Sequence, residues 1–297
     1  MALKKSLTGI IIASSAAICF AANTTASPLA ANGGSSVLTY LVLRTTIATL
    51  VVFILLLITK SNIKLCPKRR WMALGVGMIM AIHSFALLSA IQHIPIALAV
   101  LIFYTFPILT TLYLWLIGRD RANWLAGIAL FFGLAGLALA LNITDSELDI
   151  IGIGLAVISA IGITVVIIIN SQLVGKGDSR PVTLHMLISA SIVFIILTAT
   201  LGEFHLPNTI IGWWAFSSGP FFYSFAIISL FIAIAILGPI KASMTMNLEP
   251  ISSMLLGFLI LNQSLNNQQV FGSAVVIISI LLIQQSNKQK KMQTKEN

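Results

Sequence analysis

The chain has 297 residues, 58% of them apolar and only 8% charged, with a mean hydropathy of +1.02; soluble globular chains carry about 25% charged residues. That balance excludes a water-soluble enzyme and describes an integral membrane protein. The net charge of +9 is scattered over short loops and the tail with no soluble domain to hold a phosphate track, so the expected partner is the lipid bilayer and not nucleic acid.

Ten spans are expected, over 7–30, 36–59, 71–92, 95–117, 124–142, 150–171, 182–201, 213–235, 240–261 and 269–286. Each is close to the roughly 20 residues an α-helix needs to cross hydrocarbon. A β-barrel would instead show segments of about 10 alternating residues. With the N-terminus inside, every Lys and Arg except Arg44 falls in a cytoplasmic segment, 16 of 17. The outer loops receive Asp145, Glu147, Asp149 and Glu203. One choice of parity thus sorts nearly all the charge, and it requires ten spans with both termini cytoplasmic.

The first span has the basic start, apolar stretch and small-residue end of a signal peptide. It is read as an uncleaved helix, because apolar and small residues continue through Pro28 to Ala31. Asn23, Thr24 and Thr25 sit where lipid exposure is unfavourable, so they bind neighbouring helices or touch a solute. Arg44 lies about eight residues into the second span, roughly 12 Å deep at 1.5 Å per residue. His83 in the third span is either a proton-coupling group or a satisfied interior donor. Pro107 in the fourth frees the carbonyl of Phe103, with Tyr104, Thr110 and Thr111 on the same side. These form a hydroxyl-bearing cavity wall, or a tolerated kink whose threonines bond their own helix.

The runs "GLAGLALAL" (133–141) and "GIGLAVISAIG" (152–162) place small residues at close-packing spacing. Asn170 in the sixth span is interhelical by the same argument as Asn23. His93, His185 and His205 fall near span ends, and Trp71, Trp124, Trp213 and Trp214 fall at helix starts, where interfacial anchoring accounts for them.

The ninth span, "MTMNLEPISSMLLGFLIL", carries Glu249 about eight residues in, roughly 12 Å from its end. An acid at that depth is costly and faces the bundle interior or water, which makes it a functional candidate. Lys241, Thr245, Ser252 and Ser253 share its face, and Pro250 leaves the carbonyl of Met246 available beside it. Arg44 differs from Glu249 by only about 6 Å in expected depth. Either the two lock helices together, or Glu249 binds or couples transport of a solute.

Pro107 and Pro250 lie 143 residues apart. Each stands about a third of the way into a span and is followed by aliphatic residues, a short polar turn, a glycine and a final apolar helix. Five spans per half is odd, so the halves enter the membrane in opposite orientation. Such inverted repeats build transporters with a site near the midplane at the repeat interface.

On "LEPISSMLLGFLIL", "FPILTTLYLWLIG", "GIALFFGLAGLALAL" and "GSAVVIISILLI", the chain resembles the drug/metabolite transporter superfamily of the type built from two EamA-like repeats. Residues 1–142 and 150–286 are the expected repeats, and 287–297 a basic cytoplasmic tail. Where family members often carry Gly-Glu after the ninth span, this chain has Leu261 and Asn262. The resemblance implies an all-α ten-helix inverted-repeat carrier with a central cavity, moving small organic solutes, often outward.

The expected function is therefore a secondary transporter in the bacterial inner membrane, working by alternating access and coupled to protons or exchange. A homodimer is compatible with it. The candidate residues are Glu249, Arg44, Tyr104, Thr110, His83, Asn23, Thr245 and Ser253, with helix breaks at Pro107 and Pro250. A flippase for lipid-linked molecules and an intramembrane lipid-processing protein are the alternatives. Cys19 and Cys66 form no C-x-x-C motif. With neither a phosphate-cradling loop nor metal-ligand spacing nor a nucleophile motif, no cofactor, metal or covalent chemistry is expected.

Overall fold

A computed structural model describes residues 2–94, 96–119, 124–141, 149–175, 177–261 and 266–296. Arg121, Asp145, Glu147, Lys176 and Asn262, which enter the charge and family arguments above, lie outside the described residues. Every regular element among them is a helix: α1 Ala2–Asn32, α2 Val37–Ile58, α3 Pro67–His93, α4 Ile96–Phe103, α5 Phe106–Leu116, α6 Trp124–Leu141, α7 Ile150–Val174, α8 Arg180–Leu201, α9 Ile210–Leu237, α10 Pro239–Thr245, α11 Leu248–Leu261 and α12 Asn267–Glu296.

Local sequence explains where the helices start. The side chains of Ser36, Asp149 and Thr209 accept hydrogen bonds from the backbone N–H groups of Thr39, Ile151 and Gly212, capping α2, α7 and α9. Proline occupies the first turn of α3, α5, α8 and α10, where its missing N–H would have no helical partner anyway. Asp149 also meets His93 at 2.9 Å. The Ile151 N–H, and then the His93 side chain, hold its carboxyl below the usual range.

Eight helical stretches among the described residues are long and apolar enough to cross a membrane. The expected fourth span is α4 followed by α5, broken at Tyr104 and Thr105. The expected ninth span is also two helices, α10 and α11, separated at Met246 and Asn247. The apolar part of α12, Asn267–Leu282, is shorter than the eight, and the helix runs on through the basic tail to Glu296. Both breaks come just before the two prolines, whose rings cannot sit against an unbroken preceding turn.

Helix pairing follows the repeat. The most extensive contact, α1 with α9, has its counterpart in α3 with α7. The pairs α2 with α9 and α3 with α8 exchange in the same way, as do α1 with α11 and α5 with α7; α2 with α8 and α6 with α12 map onto themselves. The halves are thus interleaved, each helix of the first finding its main neighbour in the second. Large apolar side chains such as Ile58, Phe131, Phe221 and Trp214 remain exposed, as a lipid-facing surface requires.

The small-residue stripes serve close packing. A Cβ on Gly136 of α6 would fall 2.9 Å from the Gly272 carbonyl oxygen of α12. On α7, a Cβ on Gly152 would meet His93 at 2.8 Å, and one on Gly162 would meet His83 at 2.5 Å. Trp71, Trp124, Trp213 and Trp214 are exposed at the starts of their helices.

The α2–α8 pair is fastened at both ends. At one, Arg180 donates to both carboxylate oxygens of Asp178, to Thr59 Oγ1 at 2.9 Å and to Ser61 Oγ at 2.9 Å. At the other, Thr39 Oγ1 donates to the Glu203 carbonyl at 2.9 Å and accepts from the His205 N–H at 3.1 Å. Partial burial raises the Asp178 carboxyl, but the Arg180 hydrogen bonds and charge outweigh this and hold it below its ordinary value.

A depressed native carboxyl stabilises at pH values above its unfolded value, and that contribution is lost as pH falls through the native one. Acidification from the ordinary carboxylate range down through the lower native value of Asp178 is therefore expected to loosen the Thr59–Ser61 end. Hydrogen exchange of residues 59–66 should rise on acidification in the wild type and be already fast and pH-insensitive, after intrinsic correction, in Arg180→Ala.

Candidate functional site

The two helix breaks occupy equivalent places in the repeats. Tyr104 and Asn247 are 143 residues apart, the spacing of the two prolines, and both are buried. At each break the chain tightens locally: Thr105 N–H donates to the Ile102 carbonyl, and Asn247 N–H to Met244. Each break also presents a buried oxygen without a regular hydrogen-bond partner, the Tyr104 hydroxyl and Asn247 Oδ1. Unpaired polar atoms at matched positions are what a ligand or water would satisfy.

Glu249 stands in the first turn of α11, where the positive end of the helix favours an anion. It is half-buried. Thr24 of α1 donates from Oγ1 to Glu249 Oε1 at 3.1 Å. The Tyr104 hydroxyl faces the same carboxylate closely enough to interact with it, without closing a hydrogen bond of regular geometry. The first repeat's break thus points at the acid carried by the second. One sequence expectation is corrected: the Met246 carbonyl is not left free by Pro250, because the Glu249 N–H takes it at 2.9 Å in a tightened turn.

Arg44 forms no salt bridge with Glu249 in this structure. Its guanidinium lies over the ring of Tyr223 of α9, 4.2 Å from the centroid, in cation–π geometry. Tyr223 packs edge-on against Phe20 of α1 at 5.9 Å. Arg44 lies within electrostatic range of Glu249, His83 and Tyr40 as well as of Tyr223. The buried His83 stacks on Phe103 at 6.3 Å, and its Nδ1 has no partner. Phe103, Tyr104 and Phe106 form one aromatic cluster, with centroids 5.3 to 5.6 Å apart.

The structure therefore gathers Glu249, Arg44, Tyr104 and His83 from four separate helical regions. The hydrogen bonds recorded for the other candidates go elsewhere than to the carboxylate. Asn23 is buried and accepts through Oδ1 from the Tyr40 hydroxyl at 3.0 Å, an α1–α2 tie. Thr110 is fully buried with an unpartnered hydroxyl, while Thr111 bonds its own helix at the Pro107 carbonyl. Thr245 likewise bonds the Lys241 carbonyl at 2.8 Å, and Ser253 is half-buried on α11. Asn170 is fully buried with both amide atoms unpartnered.

Sequence reasoning missed Tyr223 and Tyr40. The available signal was their place within spans, where interfacial anchoring does not explain a tyrosine. Tyr40 leans into the surface of α9, and a Cβ added to Gly219 would fall 1.8 Å from its hydroxyl. Gly219→Ala is expected to displace Tyr40 and cost about 1–3 kcal/mol through overpacking and the lost bond to Asn23. Adding Tyr40→Phe, which removes the clashing oxygen, should recover part of that loss; thermal unfolding of the single and double variants checks it.

The comparisons with known proteins bear on the same frame. The EamA-like transporter family matches residues 7–142 and, again, 150–285. An uncharacterized transporter of Synechocystis sp., sll1319, is 23% identical over 220 residues, spanning 72% of this chain. The match covers 66% of that relative's length, just under two thirds. A solved crystal structure shares the fold with a TM-score of 0.73 at 17% identity, covering 93% of this chain and 97% of that one.

Proposed function

Because the chain belongs to the EamA-like transporter family, we propose that it is a secondary transporter that exports a small metabolite or organic solute by alternating access. The observation that carries this reading is the meeting of two broken helices at one acid. Tyr104 from the break in the first repeat faces Glu249 from the second, and the polar atoms around them are incompletely paired. Interrupted helices at corresponding places in two repeats are where transporters of this construction hold their cargo.

In this reading α4 with α5 makes one crossing, α10 with α11 another, and α12 a tenth, the halves being inverted and both termini facing the cytoplasm of a bacterial cell. The moving bodies are not the sequence halves, which interleave. The strong pairings group α1 with α9 and α11, and α3 with α7, α4 and α5, so the two groups rock about the fastened α2–α8 pair. Glu249 and Tyr104 lie on opposite groups, and the path opens where they separate. Protons or a countermoving solute supply the energy, with Glu249 as the group whose charge changes.

The test is counterflow of a pooled metabolite panel in proteoliposomes, with and without an imposed pH gradient. Uptake of at least one solute, dependent on the protein, is the expected result. Solute movement no faster than in empty vesicles across a broad panel contradicts the proposal.

A further inference from the structure

Among the Lys, Arg, Asp and Glu side chains of the described residues, Arg44 is the one with a buried polar atom left unpartnered. Its Nε is buried without a hydrogen-bond partner, and the guanidinium makes no hydrogen bond or salt bridge to any described residue. Tyr223 holds only its face, at 4.2 Å. A guanidinium presents its five donors around the edge of its plane, so stacking on Tyr223 engages the face and none of those donors. The planar group that fits such an edge with two parallel hydrogen bonds is a carboxylate.

Glu249, the neighbouring carboxylate, does not fill this place, since Thr24 bonds it and Tyr104 faces it. Resting on the transporter reading, we infer that Arg44 is the receptor for a carboxylate on the transported solute. The groups around that solute are Glu249 from α11, His83 from α3, Tyr104 between α4 and α5, Tyr223 from α9 and Tyr40 from α2. Glu249 places a second negative charge within reach of Arg44. An incoming carboxylate therefore needs a compensating positive charge: an ammonium on the same solute, or a proton taken up on Glu249.

The test reads binding and needs no transport. The full-length protein in lipid nanodiscs, with 15N-labelled arginine, is titrated with acetate and benzoate against acetamide and benzamide, and with alanine as an ammonium-bearing carboxylate. The Arg44 signal is identified by its loss in Arg44→Lys. At pH values where the ligands are ionised, the carboxylates are expected to shift it saturably in Glu249→Gln and, in the wild type, more strongly as pH falls, and the amides not to shift it. Saturation by alanine in the wild type above neutral pH assigns the compensating charge to the ammonium, and its absence there assigns it to the proton.

Arg44→Lys keeps the charge but loses the fork, so carboxylate affinity, read on backbone amide signals of uniformly 15N-labelled wild type and variant, should fall about tenfold. The inference is overturned if amides bind as well as carboxylates, if no carboxylate saturates in Glu249→Gln, or if Arg44→Lys keeps full affinity. Carboxylate binding without any transported solute would remove the transporter reading and leave Arg44 only a carboxylate site; transport without carboxylate binding would overturn this inference and leave the transporter reading intact.

Discussion

Glu249→Gln is expected to cut transport by at least about tenfold, the scale of a coupling free energy of 1–3 kcal/mol, while the protein stays folded and inserted. The substitution keeps the size of the side chain and an oxygen able to accept from Thr24, so α1 and α11 keep their tie. It removes the charge, and with it the ability to change charge during the cycle. Residual transport in the variant should no longer respond to an imposed pH gradient. The check is initial-rate counterflow in proteoliposomes, beside a thermal melt showing that the two proteins unfold within a few degrees of each other. Equal rates and equal pH response would assign Glu249 to helix packing and move the search for the site to Thr110 and Asn170, whose buried polar atoms are unpartnered.

The largest expected loss of stability comes from Gly77→Ala. A Cβ on Gly77 of α3 would stand 2.1 Å from the carbonyl oxygen of Met186 on α8, and 2.8 Å from the Met186 carbonyl carbon and Cα. The obstacle is backbone, so no rotamer change relieves it, and Met186 itself is fully buried. The two helices must move apart at a cost of about 1–3 kcal/mol, more if the shift spreads to the α2–α8 pair. Gly75, two residues earlier on the same helix, has nothing within 4 Å of its notional Cβ. Gly75→Ala should be neutral or raise stability slightly, through the better helix propensity of alanine. Thermal unfolding of both variants in one detergent compares them, and similar melting temperatures would contradict the packing described for α3 and α8.

Much of this architecture was legible in the sequence because a bilayer leaves few choices. The long apolar runs became helices near their expected limits, and the Pro107 and Pro250 spacing located two equivalent breaks. Glu249 stood out because a carboxylate has no cheap place in hydrocarbon. The partner of Arg44 was not legible. Counting residues gives depth along a helix, and depth alone matched Arg44 to Glu249; the direction each side chain faces depends on how α2, α9 and α11 are packed, and that set Arg44 over Tyr223 instead. The free Met246 carbonyl failed for a related reason. Pro250 removes one donor, but the adjacent Glu249 N–H turned inward to replace it, a local adjustment that a regular helix does not anticipate. Interleaving of the halves was hidden as well, since repeats in sequence do not say which helices touch.

In the proposed transport cycle Glu249 and Thr24 line an opening that faces each side of the membrane in turn. The most direct measurement is labelling of Thr24→Cys, in a background where Cys19 and Cys66 are replaced by Ala and Ser, with a membrane-impermeant thiol reagent applied to either side. Thr24 is exposed in the structure and bonds Glu249, so its position reports on the path. Labelling from both sides is expected, with a transported solute or an imposed pH gradient shifting the ratio between them. Labelling from one side only under every condition, or from neither, would contradict it.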